Sequence, residues 1–325
     1  MLIVRVIMLA VLVLLVPAVR MTTAHELSAL AGTMADIDTG KPSYAWQLEF
    51  RNWMNERFAV SLSYLNEGHV PYHHRDGGAV QAWTRMKVAD PRLSLSAGIG
   101  PYYFFDSTQP NDASYYSNDH GWGIIGSLGL SWYTDARLVY HLRTNVVETG
   151  SMDTHTVLLG VGYQWDVQPW LTGAPQRSAP KEAEKKNELT LFAGRTIVNS
   201  FNSEHSLATG IEYRRQLGRY FEGTLTALNE GENDMIDRSG LAAEIWLVGK
   251  PFGNRVSLGC GGGGYYAGDR EHRSGDGDYL MSGIASITAG FPIAEEWTIR
   301  TTWSRVHTHY HRDTDVIVAG LGYLF

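Results

Sequence analysis

Apolar and polar residues alternate with a period of two in a long series of segments, none longer than 14 residues. Successive side chains of an extended chain point to opposite faces, so this period predicts strands and not helices. The first half yields segments at 27–37, 43–54, 58–68, 76–88, 92–105, 121–133, 136–147 and 155–165. The second half yields 189–199, 206–217, 220–231, 239–250, 255–267, 279–291, 296–307 and 314–325. In the second segment Tyr44, Trp46, Leu48 and Phe50 share one face, and Gln47, Glu49 and Arg51 share the other. In the sixth, Trp122, Ile124, Leu128, Leu130 and Trp132 oppose Gly123, Ser127, Gly129 and Ser131.

A soluble β-sandwich also alternates, so the connections have to separate the classes. Asn55-Glu56-Arg57, Ala89-Asp90-Pro91 and Thr134-Asp135 are tight, whereas 66–76, 107–120 and 148–154 are long and polar. The second half repeats this with long connections at 232–238, 270–278 and 308–313. Short turns at one end and long loops at the other form the pattern of bacterial outer-membrane β-barrels, and a tilted strand of this length crosses a bilayer. Aromatics near segment ends, Trp53, Tyr102, Tyr103, Trp132, Tyr133, Trp165, Trp297 and Tyr323, are expected in the interfacial girdles.

The chain is one unit written twice. A shift of 163 residues lays Ala45–Asp106 on Ala208–Asp269 without a gap, with about a third of the positions identical. Leu65-Asn66-Glu67-Gly68 falls on Leu228-Asn229-Glu230-Gly231, Arg75 and Trp83 on Arg238 and Trp246, and Glu26-Leu27 matches Glu188-Leu189. Two architectures satisfy this repeat: two tandem eight-stranded barrels, which we favour, or one sixteen-stranded barrel made by duplication. Trp165 closes the first unit where Phe325 closes the second, and 167–187 carries three Pro and the mixed run Lys181–Lys186. As a coil that link spans about 25 Å, far more than a periplasmic turn. The domain reading is therefore 1–24 as a signal peptide, 25–166 as the first barrel, 167–187 as a linker and 188–325 as the second barrel.

Composition agrees. Charged residues make up only 19% of the chain, with 35 Gly, 10 Trp and 17 Tyr, which is unusual for a soluble domain. Arg5, an apolar run from Val6 and the small residues Thr22-Thr23-Ala24 read as a secretory signal, whose removal with Arg20 takes the net charge from -7 to -9. An acidic chain without a basic stripe argues against nucleic acid as a partner. The lone Cys260 excludes an internal disulfide and a Cys-based metal centre, and no cofactor is expected.

The last strand, Val316 to Phe325, ends on Phe with Tyr323 two residues before it. It resembles the terminal strand read by the outer-membrane barrel-assembly machinery, and each half resembles the small eight-stranded barrels of the OmpA, OmpX-like and PagL-like superfamily. The resemblance implies an outer-membrane location with extracellular loops and periplasmic termini. It also implies membrane lipid, lipopolysaccharide and the assembly machinery as partners, with Tyr323 and Phe325 as the assembly signal.

By parity Glu49, Arg51, Glu67, Arg75, Gln81, Trp83 and Arg85 face inward, as do the repeat partners Glu212, Arg214, Glu230 and Arg238. An interior ion-pair lattice is expected from these charges, because an unpaired buried charge is costly; a ligand or catalytic site that includes Asn66-Glu67-Gly68 and its repeat partner is the competing reading. Ten of the twelve His fall in or beside the long loops, while His141 points inward. His307, His309 and His311 alternate, which puts them on one strand face about 7 Å apart, a weak metal candidate. PagL-like barrels are lipid A deacylases with a His-x-Ser-Asn motif; neither Ser117-Asn118-Asp119-His120 nor the segment from His307 to His311 reproduces it, so no catalytic residue carries over. A non-enzymatic barrel acting through its loops in envelope integrity or surface binding is the favoured function, with a lipid A-modifying enzyme and a sixteen-stranded porin as alternatives.

Overall fold

The computed structural model describes residues 24–70, 73–88, 90–108, 116–164, 187–200, 203–218, 220–250, 255–270 and 279–325. The signal-peptide reading, Trp165 and nearly all of the proposed linker lie outside the described residues. The first repeat forms β1 (Ala24–Asp36), β2 (Pro42–Trp53), β3 (Phe58–Val70), β4 (His73–Lys87), β5 (Leu93–Thr108), β6 (Ser117–Tyr133), β7 (Leu138–Glu148) and β8 (Thr154–Gln164). The second forms β9 (Asn187–Val198), β10 (His205–Gln216), β11 (Phe221–Glu232), β12 (Asp237–Gly249), β13 (Ser257–Asp269), β14 (Tyr279–Pro292), β15 (Trp297–His307) and β16 (Thr314–Leu324). The described residues contain no helix.

Each repeat is a closed antiparallel barrel. β1 pairs with β8, Leu27 opposite Tyr163, and β9 pairs with β16 in the same register, Leu189 opposite Tyr323. Closure gives every edge strand a partner, so no row of backbone N–H and C=O groups is left open. A single sixteen-stranded barrel would need β8 to pair with β9 and β16 with β1, and the observed pairings exclude it.

The strands run further than alternation alone indicates. The expected long loop at 66–76 is largely strand, since β3 continues to Val70 and β4 begins at His73. β6 likewise starts at Ser117, inside the expected loop 107–120. Backbone pairing in a hairpin continues past the apolar belt, where polar side chains replace the alternation that marks the strand in sequence.

Burial is inverted relative to a soluble protein. Leu159 and Leu207 point outward and are 67% and 70% exposed, whereas Glu26, Gln47 and Asn145 are 0% exposed inside the first barrel. An apolar outer wall around a polar interior is the arrangement a barrel needs in lipid. Large rings fill the centre. Trp53 and Trp83 form a cluster with Ala59 in the first barrel. A Cβ on Gly98 would lie 2.5 Å from the Trp83 ring, and one on Gly261 as close to Trp246, so each indole requires a glycine on the neighbouring strand.

Three of the expected girdle aromatics belong instead to the interior. Trp53 and Tyr102 are fully buried, and Tyr133 is buried with its hydroxyl accepting from Arg85 Nη1 at 3.1 Å. Tyr102 and Tyr103 are adjacent in one strand, so they had to face opposite ways. Trp132, Trp297 and Tyr323 do face outward, and Trp297 meets Tyr323 edge-on with ring centroids 5.2 Å apart.

Candidate functional site: the charged interior and its mouth

In the first barrel Glu49 is held by two arginines. Arg143 donates to both of its oxygens, at 2.6 and 3.1 Å, and Arg51 Nη2 lies 2.7 Å from Oε1. Arg51 makes no well-aligned hydrogen bond in that contact. Its guanidinium lies over the Trp83 ring at 3.9 Å, where the face of the indole offers negative potential. Arg85 covers Trp53 in the same way, at 3.8 Å. Glu26 sits 3.2 Å from His141, and Gln164 Nε2 donates to its other oxygen at 3.2 Å. Gln81, Ser127, Asn145, Gln47 and Thr156 form a connected hydrogen-bond chain across the interior.

The second barrel uses the same places with different partners. Glu212 accepts from Arg214 Nε at 2.9 Å, Arg214 Nη1 reaches Glu222 at 2.9 Å, and the guanidinium lies 4.4 Å from the Trp246 ring. Glu188 takes a bidentate pair from Arg300 at 2.6 and 3.0 Å. Bidentate guanidinium–carboxylate pairs are the strongest charge-assisted hydrogen bonds available to side chains.

In the second barrel the repeated Asn-Glu-Gly motif is a β-bulge, the register against β12 shifting between Asn229 and Gly231. Gly68 and Gly231 have φ of +66° and +78°, a conformation that side-chain-bearing residues rarely adopt. The preceding Asn66 and Asn229 accept from those glycine N–H groups at 3.0 and 2.7 Å. The bulge turns the intervening Glu into the barrel mouth, where Glu67 and Glu230 are 0% exposed. Glu230 binds Arg238 through two hydrogen bonds, at 2.5 and 2.7 Å, and accepts a third from Thr314. In the first barrel Tyr102 donates to Glu67 at 3.0 Å and Thr154 donates to its other oxygen; Arg75 is also buried there. Above Arg238, the Tyr310 hydroxyl accepts from Nη1 at 3.0 Å and donates to Asp269 at 3.1 Å. Burial of that phenol in the 308–313 turn pushes it up to about 12. In the same turn burial raises the Asp313 carboxyl, although the Thr308 N–H donates to it at 2.7 Å.

Parity does not reveal the cross-barrel partners. Arg143, Arg300, Glu26, Glu188 and His141 all lie on inward faces, yet which of them meet depends on strand tilt. Glu244 occupies the place of Gln81 and makes no ion pair among the described residues; its Oε1 lacks a hydrogen-bond partner beside a cavity of about 30 Å³. The three candidate metal-binding His do not share one strand face: His307 ends β15, while His309 and His311 belong to the turn, His311 with a left-handed φ of 59°. Among the described residues no group of three or more His, Cys, Asp or Glu is placed to hold a metal ion.

No family model and no curated protein matches the sequence. Among solved structures, the chain is similar to the N-terminal β-barrel domain of Pseudomonas aeruginosa OprF. The identity is 12% over 44% of this chain and 98% of that one, with a TM-score of 0.36. It is also similar to Ail, the attachment invasion locus protein of Yersinia pestis, at 14% identity over 44% of this chain and 97% of Ail, TM-score 0.34. Neisserial surface protein A aligns at 13% identity over 44% of this chain and 96% of its own, TM-score 0.32.

Proposed function

We propose that this chain is an outer-membrane protein of two small barrels that is neither a pore nor an enzyme, and that it acts through its long loops and outer walls in envelope integrity or surface binding. The observation that carries this reading is the filled interior. Stacked Arg and Trp side chains cross the first barrel, and the cavity beside Glu244 in the second has room for about one or two waters. An eight-stranded barrel packed this way leaves no water-filled lumen for solutes. The long loops would lie outside the cell and both termini in the periplasm, with the barrel-assembly machinery reading Tyr323 and Phe325. Phe325 faces outward and stacks on Tyr323 at a centroid distance of 6.3 Å, which leaves both rings available to another protein.

The test is threefold. The protein should fractionate with outer membranes and shift on gels with heating; it should leave planar bilayers at background conductance; and its loss should sensitise cells to detergents. Recovery as a soluble periplasmic protein would overturn the reading, as would stepwise ion conductance.

A further inference from the structure

The two repeats differ on their outward walls. On the second barrel a groove of about 830 Å³ runs over Thr209 and Ala227 between Leu191 and Leu241, with Asn229 and Ser239 at its long-loop end. A shift of 163 residues places Trp46 and Tyr64 of the first barrel on Thr209 and Ala227, and the registers agree: Thr209 pairs with Asn229 as Trp46 pairs with Asn66. Those two rings lie 5.5 Å apart, so the first barrel carries large aromatic side chains at the positions where the second barrel has Thr209 and Ala227.

A second difference lies beside the groove. Arg195 is exposed on the outward face of β9, opposite Leu207 and two residues nearer the long loops than Ala193, which pairs with Thr209. In the first barrel Ala31 pairs with Trp46, so the position matching Arg195 is Thr33. A guanidinium on a lipid-facing wall is stable only where it reaches the headgroup level.

We infer that this groove binds one acyl chain of a phosphorylated glycolipid of the lipid A type. Leu191 and Leu241 are 61% and 53% exposed and continuous with the apolar wall, so the occupant of the floor is hydrocarbon. Asn229 and Ser239 stand where the chain's amide or ester group emerges, and Arg195 supplies the charge that a glycolipid phosphate requires. The choice of lipid A over a phospholipid rests on the proposed extracellular position of the long loops, which sets this end of the barrel in the outer leaflet.

Native mass spectrometry tests the inference with full-length protein whose folding is verified by its heat-modifiable gel shift. The probes are bis-phosphorylated lipid A, its dephosphorylated form and phosphatidylglycerol. The wild type should retain one bis-phosphorylated lipid A in preference to the other two. T209W/A227Y, which places the first barrel's two aromatic side chains in the groove, should weaken retention about tenfold. R195T, a surface change that leaves the barrel closed, should remove the preference for the phosphorylated form. Undiminished retention by T209W/A227Y would overturn the groove, and equal retention of phosphatidylglycerol would overturn the lipid. Because binding is read in detergent, failure to fractionate with outer membranes would defeat the location without altering this result.

Discussion

Glu230 and Arg238 show what a buried charge requires. Both are desolvated, and each hydrogen-bonding atom of the carboxylate is occupied by Arg238 or Thr314. Glu230→Ala should therefore lower stability by about 3 to 5 kcal/mol, because it leaves a buried guanidinium without its anion. Replacing both residues with Leu and Met should recover much of that loss. Denaturant unfolding in micelles measures both, and a silent Glu230→Ala would remove the pair from the list of stabilising contacts. The phenol above the pair sets a pH limit. Tyr310 ionises near 12 in the folded protein against about 10 for an unperturbed Tyr, so the folded state holds this proton more tightly. Its contribution is full below pH 10 and lost as pH rises through 12. Tyr310→Phe should lose less stability than wild type over that window in a pH series of unfolding curves. The Asn-Glu-Gly motif was visible in the sequence as a repeat, yet its role was not, because a bulge depends on the φ of one glycine.

Strands carry the membrane boundary. Ile245 lies in mid-strand β12, outward and half-exposed between Gly223 and Gly262 on its neighbours. Ile245→Arg should cost about 2 to 4 kcal/mol by placing a charge near the bilayer midplane. The measurement is refolding into vesicles against wild type, and an equal refolding yield and stability would contradict a lipid-facing β12. Strand positions were legible to within a few residues, since a period-two pattern survives wherever one face meets lipid and the other meets the interior. The girdle was less legible. Proximity to a strand end selected Trp53, Tyr102 and Tyr133, but parity puts all three inside, where Arg85 uses two of them as platforms.

The whole molecule consists of two closed hydrogen-bond circuits. Each of residues 24–164 and 187–325 satisfies its own edges, so each should fold alone in detergent and show its own heat-modifiable shift. Halves that aggregate separately and fold only together would contradict independent closure. The amino-acid sequence by itself determined the strands, their inward and outward faces and the duplication, because each of these is a periodicity and periodicity is local. It also put Glu49, Arg51, Glu212, Arg214, Glu230 and Arg238 on inward faces. Only the tertiary structure decided that β1 closes on β8 and β9 on β16, since both architectures use the same strands and differ in which distant edges meet. It alone matched Arg143 to Glu49 and Arg300 to Glu188, because strand tilt sets which residues share a level across the barrel. It also opened a groove over Thr209 and Ala227, whose small size gains meaning only from the walls beside them.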